Sequence, residues 1–181
     1  MGTNMTKIDS ENHVKGKNVV TGNDIKSYLN YQERQAIIDS WNAISTEKQK
    51  YGTILFLKLF ELEPRVKSLF TIFDFNEPLE DIIQSPHFRS HAMRFMQSLE
   101  TGVLMGFDKE SCDFLFKSLG SRHHFYDLKS EFLDVIPECI LHTIKKGCGN
   151  NWSNETADAW KIATKVLCEL FREGLETKPK K

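Results

Sequence analysis

The stretch Tyr51-Gly52-Thr53-Ile54-Leu55-Phe56-Leu57-Lys58-Leu59-Phe60-Glu61-Leu62-Glu63-Pro64 places Ile54, Leu55, Leu59 and Leu62 on one face of a helix. It stops at Pro64, which suits the first turn of a further short helix, where a missing N–H costs nothing. On its N-terminal side Ala36, Ile37, Trp41 and Ile44 carry the same spacing. On its C-terminal side the pattern continues almost to the chain end. The periodicity predicts helices over 32–45, 47–62, 64–70, 86–105, 110–123, 129–147 and 153–174. Ser85 caps the segment that Pro86 opens, and Ser153 caps the last one after the break from Gly147 to Asn151. Asp74–Gln84, with Pro78, reads as a loop carrying one turn of its own. Pro137 lies within the apolar run Phe132–Ile144 and must kink or split that helix, freeing the carbonyl of Leu133 or Asp134. No convincing strand pair appears, so the fold class is all-α. The expected layout is a flexible polar arm over 1–30, a helical domain over 31–175 and a basic tail over 176–181.

Composition narrows the function classes. The 181 residues carry 24 basic and 25 acidic side chains, with no long basic stripe, which argues against binding driven by nucleic-acid phosphates. No apolar run reaches the length of a membrane span, and the N-terminus lacks the apolar core of a secretory signal. Cys112, Cys139, Cys148 and Cys168 form neither a CxxC pair nor a zinc spacing, so they are expected as reduced thiols of a cytoplasmic protein. Met1-Gly2-Thr3-Asn4-Met5-Thr6 fits an N-myristoylation pattern at Gly2. One such chain binds bilayers with a constant of only about 10⁴ M⁻¹, so any membrane association would be reversible.

Two histidines stand out. His91 lies on the helical stretch opened by Ser85 and Pro86, and His123 lies at the end of the next, just after Leu119-Gly120. An imidazole on either wall of a flat apolar slot can bind a haem iron through a ring nitrogen. Taken singly, each histidine reads as an ordinary half-exposed core residue. Phenylalanines recurring at helical spacing around both of them strengthen the ligand reading.

In order along the chain stand Trp41, Phe56, Pro64, Phe70, Phe73, His91, His123 and Trp160. Together with Ser85-Pro86-His87-Phe88-Arg89-Ser90-His91 and Leu119-Gly120-Ser121-Arg122-His123, this order resembles the globin family from about residue 31 to 174, and within it the neuroglobin and globin X branch. The resemblance implies a 3-over-3 helical sandwich around haem b. It implies His123 as the proximal ligand, His91 as the distal histidine, Phe70 packed flat on the haem, and Phe56, Phe73 and Phe95 around the pocket. Arg94 would reach a propionate, and Leu119, Leu128 and Leu167 would line the buried edge. In neuroglobin-like globins the distal histidine itself binds iron, so a six-coordinate haem is expected. Phe95 is bulkier than the valine or leucine usual there. His124 follows His123 directly, but a helix turns about a hundred degrees per residue, so only one of them faces the iron.

The function this implies is reversible binding of oxygen, nitric oxide or carbon monoxide, in redox chemistry or gas sensing, with an electron donor or reductase as a further partner. A five-coordinate oxygen store or carrier uses the same residues. A haemless helical interaction module is the reading from a different class, and both histidines and Phe70 count against it. Nitrite reduction or nitric oxide dioxygenation is chemically open at such an iron, without a dedicated acid–base residue in the sequence. A monomer or weak dimer is expected.

Overall fold

The computed structural model describes residues 26–177. Asn30 and Glu33 form a reciprocal cap, each side chain accepting the other's backbone N–H, and open helix α1, Tyr31–Asn42. A 3-10 turn leads into α2, Lys48–Leu62, which buries Leu55, Phe56, Leu59 and Phe60. The segment after it, expected as an α-helix, is a 3-10 stretch, Pro64–Leu69. Its bonds span three residues, as in Phe70 N–H to the Lys67 carbonyl, and the tighter winding ends at Phe70.

Within the expected loop lies α3, Leu79–Gln84, which closes where Ser85 turns extended before Pro86. The Ser85 hydroxyl then accepts the Phe88 N–H and opens α4, Pro86–Leu104. Asp108 caps α5, Lys109–His123, by accepting the Ser111 N–H. Pro137 splits its expected helix rather than bending it. The residues before it form a 3-10 stretch, Ser130–Val135, and α6 spans Ile136–Cys148 with the proline in its first turn. The Leu133 carbonyl is taken by the Ile136 N–H, and the Asp134 carboxylate by Arg172. Ser153 caps α7, Asn154–Glu176, as expected.

Helices α1, α4 and α5 form one layer and α2, α6 and α7 the other. Across the layers α2 crosses α4, α1 crosses α7 and α5 crosses α7. Small residues make two crossings close. A Cβ built on Gly52 would lie 2.9 Å from the Ala92 carbonyl oxygen. One on Gly120 would meet the Phe171 carbonyl, and one on Gly174 the Lys117 carbonyl. The core centres on Trp41 and Trp160, 6.3 Å apart, with the Trp160 indole N–H donating to Ser40.

Residues 27–30 were expected at the end of the polar arm, yet they pack on the body, with Leu29 2% exposed. The arm before residue 26, including Gly2, and the basic tail from residue 178 lie outside the described residues. Among the described residues no helix is long and apolar enough to cross a membrane, and all four cysteines are free.

Candidate functional site

α4 and α5 run apart from a tight corner, Met105–Asp108, and carry His91 and His123 respectively near their far ends. His91 and His123 face each other with ring centroids 6.3 Å apart and planes inclined by 58°. A metal–imidazole bond is about 2 Å and a ring centroid lies about 1.1 Å behind its nitrogen, so two imidazoles on opposite sides of one ion stand roughly 6.3 Å apart. The spacing therefore fits a single ion ligated from both sides. Among the described residues no group of three or more His, Cys, Asp or Glu is placed to hold a metal ion. Two imidazoles alone underfill the coordination sphere of iron, zinc and most other biological metals. A planar macrocycle supplies the missing equatorial donors, and this donor set fits haem.

Each imidazole is prepared for ligation. His123 Nδ1 lies 2.8 Å from the Leu119 carbonyl oxygen. A carbonyl only accepts, so Nδ1 carries the proton and Nε2 keeps its lone pair for a metal. Burial lowers the His123 pKa, while the Leu119 bond works in the other direction. His91 is pushed down to about 4, by burial first and then by the charges of His123 and Arg94. At neutral pH both rings are uncharged, the form that binds metal.

Around His91 the walls are aromatic. Phe56 on α2 stands 5.2 Å from its ring and Phe70 5.5 Å, both edge-on. Phe95, one turn after His91, packs 5.6 Å from Phe56, and Phe73 stacks on Phe70 at 6.0 Å. Leu167 on α7 is buried, and Leu119 and Leu128 pack half-buried against the core. The structure thus gathers Phe56, Phe70, Phe73, Phe95, His91 and His123, with Leu119 beside His123 through its carbonyl. Arg94 is exposed, and its Nε donates to the Ser90 carbonyl at 3.3 Å. His124 is exposed and leaves the helix in a 3-10 turn, whereas His123 is half-buried and faces His91.

Two neighbours of His123 were missed by sequence reasoning. Phe171 lies 4.9 Å from the His123 ring and Tyr126 lies 6.1 Å from it. Phe171 had a signal, since it stands four residues after Leu167 on the same face of α7. Tyr126 had none, because a 3-10 turn places it. A groove of about 410 Å³, lined by Ser68, Leu69, Thr71, Phe125, Tyr126 and Asp127, joins the chain just before Phe70 to the chain just after His123. A larger groove, about 880 Å³, lies elsewhere, along the start of α2 and the Arg89–Met93 face of α4. Two of its cations, Lys48 and Lys50, are already paired with Glu100 and Glu47.

The chain matches the Globin family model over residues 53–170. It is 33% identical over 153 residues to anaerobic nitrite reductase HBII of Casuarina glauca, covering 82% of this chain and 92% of that protein. It is 25% identical over 145 residues to neuroglobin-2 of Oncorhynchus mykiss, at 80% and 91% coverage. To the neuroglobin of Tetraodon nigroviridis it is 26% identical over 146 residues, at 81% and 92%. Among solved structures its fold resembles a hexacoordinated heme protein from an anhydrobiotic tardigrade, with a TM-score of 0.76, 19% identity and coverage of 82% and 96%. It also resembles the hemoglobin of the botfly Gasterophilus intestinalis, with a TM-score of 0.73, 16% identity and coverage of 82% and 100%. The facing histidines, the aromatic slot and the family match over most of the chain lead to one conclusion: this protein is a globin, similar to the neuroglobins.

Proposed function

We propose that this globin holds haem b between α4 and α5, with His123 as proximal ligand and His91 as an internal sixth ligand, and that it serves redox chemistry or gas sensing. The observation that carries this is the 6.3 Å separation of the two rings. The absence of a CxxCH attachment sequence in the chain supports non-covalent, b-type haem. When bound, such a haem would supply reversible diatomic-gas binding and single-electron exchange.

The chain's own residues set the terms of that chemistry. Leu119 holds the His123 ring in one tautomer and one orientation. Phe56, Phe70 and Phe95 exclude water from the distal side, which favours an uncharged His91 against the metal. His91 would compete with an external gas, so apparent gas affinity would fall with the fraction of time His91 is held in place. That suits electron exchange or signalling better than bulk oxygen carriage. A second reading, nitrite reduction, is favoured by the name of the 33% identical relative. It would consume one electron and two protons per nitrite, and with His91 uncharged at neutral pH those protons would come from solvent. The cytoplasm remains the expected compartment, with acylation at Gly2 the route to a membrane surface. Co-expression with an N-myristoyltransferase, read by intact mass, tests the latter.

Haem titration of the apoprotein tests the ligand assignment. His123→Ala is expected to lose tight haem binding. His91→Ala is expected to keep haem, turn high-spin when reduced and bind carbon monoxide without the internal competitor. An unchanged spectrum in His123→Ala would remove the proximal assignment.

A further inference from the structure

The histidine gap is set at a distance from the histidines. α4 and α5 diverge from the corner Met105–Asp108, α4 packing on α2 and α5 on α7. At about 1.5 Å per residue, each histidine lies roughly 20 Å along its helix from that corner. Over such an arm a change of about 3° in opening angle moves the tip by about 1 Å. Small changes at the corner therefore matter at the site.

The corner is strained and held from outside. Gly106 and Phe107 both take positive φ, +58° and +56°, and Phe107 is buried at 1% exposure. A phenylalanine in the left-handed region persists only where its surroundings enforce it. The enforcing contacts come from the short segment before α1. The Ser27 hydroxyl donates to the Gly106 carbonyl at 2.8 Å and lies 3.2 Å from that of Phe107. The Tyr28 N–H donates to the Phe107 carbonyl at 3.0 Å, and the Tyr28 hydroxyl donates to the Asp113 carboxylate on α5. Leu29 is buried, and its carbonyl accepts from Arg34. Burial and the Asp113 carboxylate hold the Tyr28 phenol up at about 12, so it stays a donor at any physiological pH.

We infer that Ser27 and Tyr28 are positioning residues: they strap the α4–α5 corner and so fix how closely His91 and His123 can approach one metal. The short segment before α1 is thereby coupled to distal ligation. The inference rests on the haem reading for its consequence, but the strap itself can be tested without haem.

The test uses the full chain with Ser27→Ala and Tyr28→Phe combined, beside Ser27→Thr and Asp113→Asn, which keep a hydroxyl donor and an acceptor. In the apoprotein, amide exchange at the corner, read at Phe107, Asp108 and Cys112, should rise at least tenfold in the double variant while α2 and α6 stay as in wild type. In the haem-loaded protein, the rate of His91 release, read by carbon monoxide mixing, should change severalfold. Ser27→Thr and Asp113→Asn should behave as wild type in both. Unchanged exchange at the corner overturns the strap. Raised exchange with an unchanged release rate overturns the coupling. A chain that takes up no haem overturns the coupling together with the reading it rests on, while the exchange data still decide the strap.

Discussion

At the scale of single residues, the site is built from groups kept uncharged by burial. His91 has a folded pKa of about 4 against about 6.5 for an exposed imidazole. Between those values the unfolded apoprotein binds more protons than the folded one, so folding stability falls as pH drops from about 6.5 towards 4. The loss from this one group is roughly 3 kcal/mol, and His123, shifted in the same direction, adds to it. Urea melts across that range should show a shallower decline in His91→Leu than in wild type. An equal slope in both would place the acid lability elsewhere. On the proximal side, Phe171→Ala removes the ring nearest His123. It is expected to destabilise the fold by about 1–3 kcal/mol, since the ring is only partly buried, and to hasten haem loss to an acceptor protein. Of these residues the sequence makes legible those that stand out chemically: two histidines amid apolar turns and phenylalanines at helical spacing. Tyr126 was hidden, because a 3-10 turn brings it to His123 and no periodicity reports it. Arg94 was legible as a cation but not in its direction, which depends on a rotamer the sequence does not specify.

At the scale of elements, caps and prolines explain most boundaries. Asn30 with Glu33, Ser85 with Pro86, and Ser153 start helices where local chemistry says they should. The failures share a cause. Over Pro64–Leu69 and Ser130–Val135 the apolar spacing is compatible with either helical winding, and tertiary packing chooses the tighter one. Pro137 announced an interruption, but only the docking of Arg172 on Asp134 shows how the chain resolves it. The close crossings were also silent, because a glycine within a helix reads the same whether or not another backbone lies against it. Gly120→Ala tests that closeness. Its Cβ would strike the Phe171 backbone of α7, so a loss of about 3 kcal/mol is expected from chemical denaturation. A loss below about 1 kcal/mol, the ordinary scale of an exposed substitution, would mean that the two helices stand further apart.

At the scale of the whole molecule, two layers of helices leave one slot, and two of their members open like a V around it. The layer of α1, α4 and α5 supplies His91 and His123, and α2 and α7 of the other layer bring Phe56 and Phe171 against them. Ligation from both sides needs the V held at one opening: the packing of α4 on α2 and of α5 on α7 places the two arms, and the Ser27–Tyr28 contacts hold their corner. The central claim is that both imidazoles bind one iron. The visible spectrum of the haem-loaded protein, reduced with dithionite under argon, tests it most directly. Sharp, well-split alpha and beta bands are expected, the sign of low-spin iron with His91 and His123 both bound. A single broad visible band would contradict it, showing five-coordinate iron with His91 standing free.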